Sequence, residues 1–184
     1  MKKYLITDPL YYSNNEEIFA NKLEKTLLNN KIDIACFRDK ESTNFENLAK
    51  IFVDICKEHK VEKILINSDY NLAKNLGANG VHLNSQQFNQ ISQAKKLDLY
   101  VIISCHNLDD IEQAQKYYAN CVTYSPIFDS PNKGKAKGIS MLKEALEIYE
   151  DMDIIALGGI ISKEQTKQIS NTKAYGFASI RYFI

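Results

Sequence analysis

Strand-like and helix-like segments alternate along the whole sequence, and this alternation limits the possible folds more than any other feature. Residues 3–7 (KYLIT) form a short apolar run with a turn signal behind it. Residues 13–28 then carry Phe19, Leu23 and Leu27 on one helical face. Ser13 and Glu16 fit a capping box, in which the two side chains satisfy backbone N–H groups at a helix start. Residues 32–37 (IDIACF) read as the next strand. Thr43 and Glu46 repeat the box before a stripe of Leu48, Ile51, Phe52 and Ile55.

The order persists. Strands are expected at 63–67, 80–83, 99–104, 121–128, 153–157 and 174–180. Helices are expected at 70–76 and 86–96, and on stripes carrying Ile111, Ala114 and Tyr118, then Leu142, Ala145, Leu146 and Tyr149. Ser162 and Gln165 form a third box. Eight strands and seven helices in strict alternation imply a parallel sheet with helical crossovers. Eight units point to a closed (β/α)8 TIM barrel, whereas five or six would fit an open sheet. The expected fold is therefore a single α/β TIM-barrel domain over 1–184, with the eighth helix truncated or absent.

Composition narrows the function. The 184 residues carry 23 Lys+Arg and 23 Asp+Glu, so no net charge draws the chain to nucleic acid or an anionic membrane. No apolar run approaches the roughly 18–20 residues that a membrane span needs. The basic and then apolar start, MKKYLITDPL, is cut short by Asp8 and Pro9 and reads as a first strand rather than a secretion signal. Cys36, Cys56, Cys105 and Cys121 have neither CxxC nor metal spacing. They read as reduced, mostly buried thiols of a cytoplasmic protein.

A barrel of this type places its chemistry at the C-terminal strand ends. Polar residues gather there: Arg38, Asp39 and Lys40; Asn67 to Asp69; His82 and Asn84; Ser104 and His106; Ser130, Asn132 and Lys133; Gly158 and Gly159; and Arg181. Arg38 and Lys40 are two residues apart, so on an extended chain they face one side and could grip one anion. Lys133, Gly134 and Lys135 fit either a phosphate-covering loop or solvated surface. Gly158-Gly159 before a capped helix is a phosphate-binding pattern, with backbone N–H groups and a positive helix end. His59 is expected on the surface, and His82 in a structural hydrogen bond. His106 could either transfer protons or serve no catalytic purpose.

At these residues the sequence resembles the thiamine-phosphate synthase/TenI family over nearly its whole length. The resemblance is carried by YLITD, FRDK (37–40), ILINSDYNLAKNLGANGVHLN (64–84), SCH (104–106), SPIFDSPNKG (125–134) and ALGGI (156–160). It implies a role in thiamine synthesis. The family's synthase joins a pyrimidine pyrophosphate to a thiazole phosphate and releases pyrophosphate. The pyrophosphate leaves first, and the thiazole nitrogen captures the carbocation. The resemblance places Arg38, Lys40, Asn67, Ser104 and Lys133 on the pyrophosphate, with Ser130 and Asn132 where the family has threonines. Gly158 and Gly159 would hold the thiazole phosphate, with Ile180 and Arg181 beside it.

Departures from the pattern matter as much. Ser68 and Gln87 stand where the synthase has two Mg2+-binding aspartates, and both are neutral. Asp69 is adjacent, but its side chain should point to the side opposite Ser68 if the strand continues that far. The TenI branch includes a thiazole tautomerase whose histidine position here is Pro126, which leaves His106 as the candidate catalytic residue. Arg181 replaces a small residue and could clamp a phosphate or carboxylate. The resemblance thus implies thiazole or pyrimidine phosphates as partners, with Mg2+ as cofactor only if the chain is a synthase. The reduced last helix should leave apolar strand surface beside Tyr182, Phe183 and Ile184, and a second subunit is expected to cover it.

Overall fold

The computed structural model describes residues 1–131 and 133–184; Asn132 lies outside the described residues. Eight parallel strands close into a barrel in sequence order. They are β1 (Lys2–Ile6), β2 (Ile34–Phe37), β3 (Lys63–Asn67), β4 (Gly80–Leu83), β5 (Tyr100–Cys105), β6 (Cys121–Tyr124), β7 (Asp153–Leu157) and β8 (Gly176–Ser179). The ring closes where Tyr4 of β1 pairs with Ala178 of β8.

Both faces of each strand are buried, which is why the strands read as continuous apolar runs rather than alternating ones. Tyr4, Ile6, Ile34, Cys36, Leu65, Ile102, Cys121, Ile155 and Ala178 fill the barrel interior. Their neighbours, such as Leu5, Ala35, Ile66 and Val122, face outward into a second core made with the helices. Those helices are α1 (Pro9–Tyr12), α2 (Glu16–Asn29), α3 (Phe45–Glu58), α4 (Tyr70–Asn75), α5 (Ile91–Lys96), α6 (Leu108–Lys116), α7 (Gly138–Ile148) and α8 (Lys163–Ser170). Phe19, Leu23, Leu48, Phe52, Ile111 and Leu142 supply much of their buried face. All four cysteines are free and buried.

Local chemistry redraws some boundaries. Asp8 and Pro9 do more than end the first strand. Asp8 Oδ1 accepts the Leu10 N–H at 3.2 Å and Pro9 takes the first turn, so α1 forms where a loop was expected. Ser13 closes α1 at φ 77° and does not cap α2. Asn15 does, accepting the Ile18 N–H at 3.0 Å. Asn44 likewise precedes α3 without a side-chain cap, so the Thr43–Glu46 box is not formed. The Ser162–Gln165 box is complete: Ser162 Oγ accepts from Gln165 N at 3.2 Å and Gln165 Oε1 from Ser162 N at 3.1 Å. The expected Tyr118 contact fails as well. Helix α6 stops at Lys116, and Tyr118 turns out at φ 62°, 80% exposed.

No helix follows β8 within residues 180–184. The apolar surface there is nevertheless covered by the chain itself. Phe183, 5% exposed, stacks on outward-facing Phe177 at 5.7 Å, and Tyr182 meets the same ring edge-on at 5.0 Å. Asn30 Nδ2 donates to the Phe183 carbonyl at 3.3 Å and ties this tail to the end of α2. The uncovered face that suggested a second subunit is thus absent at β8.

Candidate functional site

The strand C-termini enclose a cavity of about 520 Å3 to which all eight strands or their following loops contribute. A larger groove, about 640 Å3, lies at the other end of the barrel between the ends of α7 and α8. There Lys143, Glu147, Asp153 and Lys173 mix both charge signs. The mouth cavity differs. Its charged lining is Arg38, Lys40, Lys133 and Arg181, with no carboxylate among the described lining residues.

Arg38 is oriented from below. Its Nη1 donates to Asp8 Oδ2 at 2.7 Å, and its backbone N–H donates to Thr7 Oγ1 at 2.9 Å. Lys40 lines the same cavity, as the two-residue spacing requires. Asn67 ends β3 facing inward, its Nδ2 donating to the His82 carbonyl at 3.1 Å. Ser104, Ser130, Ile180 and Arg181 also line the cavity. The candidate Asn132 lies outside the described residues.

Gly158 and Gly159 adopt φ 97° and 70°, conformations that side chains strongly disfavour. They also run against the loop after β6: a Cβ on Gly158 would lie 2.8 Å from Pro126, and one on Gly159 2.4 Å from the Asp129 carbonyl oxygen. Gln165, already part of the α8 cap, donates from Nε2 to the Gly159 carbonyl at 2.9 Å. The glycine turn is therefore fixed from both sides.

Two histidines face the cavity with different surroundings. His106 is exposed; its Nδ1 lies 3.2 Å from Ser125 Oγ and 3.3 Å from the Ser125 carbonyl. Its backbone N–H donates to Asp110 Oδ2 at 2.6 Å. Ser125 is 7% exposed and lines the cavity. A hydroxyl beside an imidazole can hold the ring and tune which nitrogen carries a proton.

His82 is the buried one, 4% exposed, with Nδ1 2.7 Å from Tyr4 Oη and Nε2 3.1 Å from Ser104 Oγ. Burial, and then the charge of Arg38, push its imidazole down from 6.5 to about 4. The unfolded chain takes up a proton near 6.5 and the folded protein does not. Stability should therefore be full above that pH and fall as the pH drops towards 4. Urea midpoints measured across this range are expected to show the loss, and His82→Gln to flatten it.

The sequence reading missed Ser125, Ser179 and Tyr4. Tyr4 carried a signal: it is two residues before inward-facing Ile6 and shares its face.

Comparison with known proteins bears on the whole chain. Residues 3–183 match the family model described as thiamine monophosphate synthase. The chain belongs to this family. A protein of Aquifex aeolicus, provisionally named thiamine-phosphate synthase 2, is 34% identical over 98% of this chain and 96% of its own length. Thiamine-phosphate synthase 1 of Streptococcus pneumoniae strain R6 is 29% identical over 78% of this chain and 72% of its own. Among solved structures, a thiamine phosphate pyrophosphorylase from Pyrococcus furiosus superposes with a TM-score of 0.82 at 21% identity. That match covers 97% of this chain and 85% of the other. No helix among the described residues is long and apolar enough to cross a membrane.

Within the thiamine monophosphate synthase family, Ser68 and Gln87 are the positions of interest. Ser68 lines the cavity, where its φ of 64° takes it out of the strand's alternation. Its Oγ accepts from Asn84 Nδ2 at 3.3 Å, and its carbonyl accepts from Gln87 Nε2 at 2.9 Å. Gln87 Oε1 accepts the Asn84 N–H at 3.0 Å. The two side chains thus fasten one loop to the other, and Gln87 does not line the cavity. Asp69 is engaged elsewhere, capping α4 through the Leu72 N–H at 2.8 Å. No group of three or more His, Cys, Asp or Glu suited to a metal occurs among the described residues. Mg2+ needs carboxylate and other hard oxygen ligands, and this amide-rich set does not fit it.

Proposed function

We propose that this chain is a TenI-type barrel, a single cytoplasmic domain, that binds or transforms a thiazole phosphate without a divalent cation. One observation carries the reading: among the described residues the cavity has four cationic side chains and no lining carboxylate, beside metal positions occupied by neutral Ser68 and Gln87. Cationic side chains neutralise phosphate directly. In this reading Gly158, Gly159, Ile180 and Arg181 hold the thiazole phosphate. Arg38, Lys40, Asn67, Ser104, Ser130 and Lys133 form the adjoining anion site.

Isomerising a thiazole carboxylate phosphate relocates one proton on the substrate and gains or loses no atom. His106 is the group suited to take that proton and return it, with Ser125 holding the ring.

A second reading is an active thiamine-phosphate synthase. The names of its relatives favour it, and the same cations would stabilise a departing pyrophosphate. The deciding assay supplies pyrimidine pyrophosphate and thiazole phosphate, with Mg2+ or with a chelator. The expected result is thiazole-phosphate binding that is insensitive to chelation, with no thiamine phosphate formed. Ser68→Asp with Gln87→Asp should then gain Mg2+-dependent turnover. Chelator-sensitive turnover by the unaltered protein would establish the synthase instead. Binding with no turnover of either substrate class would mark a non-catalytic phosphate-binding protein.

A further inference from the structure

At the cavity floor, a line of polar groups crosses the barrel axis. Tyr4 of β1, 0% exposed, reaches His82 of β4, and His82 reaches Ser104 of β5. Thr123 of β6 stands slightly farther from the same ring nitrogen, at 3.4 Å. Each of these groups has several hydrogen-bonding options alone. Together they have fewer.

A neutral imidazole has one N–H and one lone pair. The burial of His82 keeps it neutral, in line with its lowered proton affinity. Tyr4 then decides which nitrogen carries the proton. Among the described residues, His82 Nδ1 is the one nitrogen or oxygen in hydrogen-bond reach of Tyr4 Oη. If the ring donated to the phenol, the phenolic proton would be left with the Cys36 thiol nearby, a weak acceptor. A buried hydroxyl denied a partner is destabilising. So the phenol donates, Nδ1 accepts, and Nε2 carries the proton.

Nε2–H then donates to Ser104 Oγ at 3.1 Å. Having accepted there, Ser104 cannot also donate to the ring. Its own O–H is then left to point into the cavity that it lines. We propose that Tyr4 and His82 are positioning residues that fix the Ser104 hydroxyl as a donor to an anionic oxygen of the bound phosphate ligand. This rests on reading the barrel mouth as an anion site. A serine normally donates or accepts as its surroundings dictate. Phosphate oxygens only accept, so a preset donor avoids reorganisation on binding.

The test is 15N NMR of the full chain labelled at its three histidines, with His82 assigned by its loss in His82→Gln. The expected signature is an Nε2–H tautomer that does not titrate between about pH 6 and pH 8. An Nδ1–H tautomer, or titration near the ordinary histidine value, would overturn the relay.

Calorimetry with inorganic pyrophosphate supplies a second readout. Tyr4→Phe is expected to weaken binding about tenfold, Ser104→Ala at least as much, and the double variant no more than Ser104→Ala. Additive losses would overturn the proposal, because Tyr4 would then act independently of Ser104. Should Tyr4→Phe not fold, two His82 variants decide. His82→Gln keeps a donor and should hold affinity within about twofold, whereas His82→Leu should lose about tenfold. Equal losses would count against the relay. If the unaltered protein binds no pyrophosphate, the anion-site reading fails, and the tautomer still judges the relay on its own.

Discussion

Arg38→Met is expected to weaken inorganic pyrophosphate binding by about 100-fold, the scale of one charge-assisted hydrogen bond of about 1.5–3 kcal/mol. Methionine keeps most of the apolar stem, so the loss isolates the guanidinium. The effect has two parts. The first is the missing cation at the cavity wall. The second is Asp8, whose Oδ2 now sits 2.7 Å from Arg38 Nη1 and would be left as an unpaired negative charge beside the anion. Asp8→Asn in the Arg38→Met background should therefore recover part of the affinity, although it adds no positive charge. Arg38→Lys should not restore the original binding, because an ammonium cannot serve Asp8 and the ligand through one planar fork. Calorimetry on the variants decides the point, and a loss of under about threefold for Arg38→Met would remove Arg38 from the site.

The barrel was legible because its signal is redundant. Each strand is a short apolar run between polar turns, and eight such runs admit few closed arrangements. Helix starts were less legible because capping residues compete. Ser13 and Glu16 fit a box, but Asn15 lies nearer the first turn and takes the cap. Asn44 occupies the corresponding place before α3. At Ser162 no Asn or Asp competes, and that box forms as read.

The site was legible where strand periodicity persists. Arg38, Asn67, His82 and Ser104 follow from inward parity at the strand ends, and all line one cavity. Periodicity fails one residue later. Ser68 should face outward by parity, yet its φ of 64° turns it into the cavity. No residue type announces that reversal in a serine. The link from Tyr4 to Ser104 was hidden for another reason: it joins residues on three strands that meet only when the barrel closes. The tail was misread because Phe183 looked like a short apolar end. In fact it is the cover for Phe177.

Gly159→Ala is expected to have the largest effect of any single methyl addition in the mouth. Two costs combine. At φ 70° an alanine is strained by about 1–2 kcal/mol. Its Cβ would also lie 2.4 Å from the Asp129 carbonyl oxygen and 2.6 Å from the Phe128 carbonyl carbon and oxygen. These are backbone atoms, so no rotamer change relieves the clash and the loop after β6 must move. That loop brings Ser130 and Lys133 to the cavity, and Phe128 N donates to the Gly158 carbonyl at 3.0 Å. A shift large enough to admit the methyl would displace both walls of the site together. Unfolding in urea should show a loss of about 3 kcal/mol, the upper range of overpacking, and pyrophosphate binding should fall more than about 100-fold. Gly134→Ala is the control: it has the same φ of 70° but nothing within 4 Å of the added carbon among the described residues. It should show the strain alone and keep the stability loss to about 1–2 kcal/mol. If the two variants lose the same stability, the close approach at Gly159 is not what holds the loop and the glycine turn together.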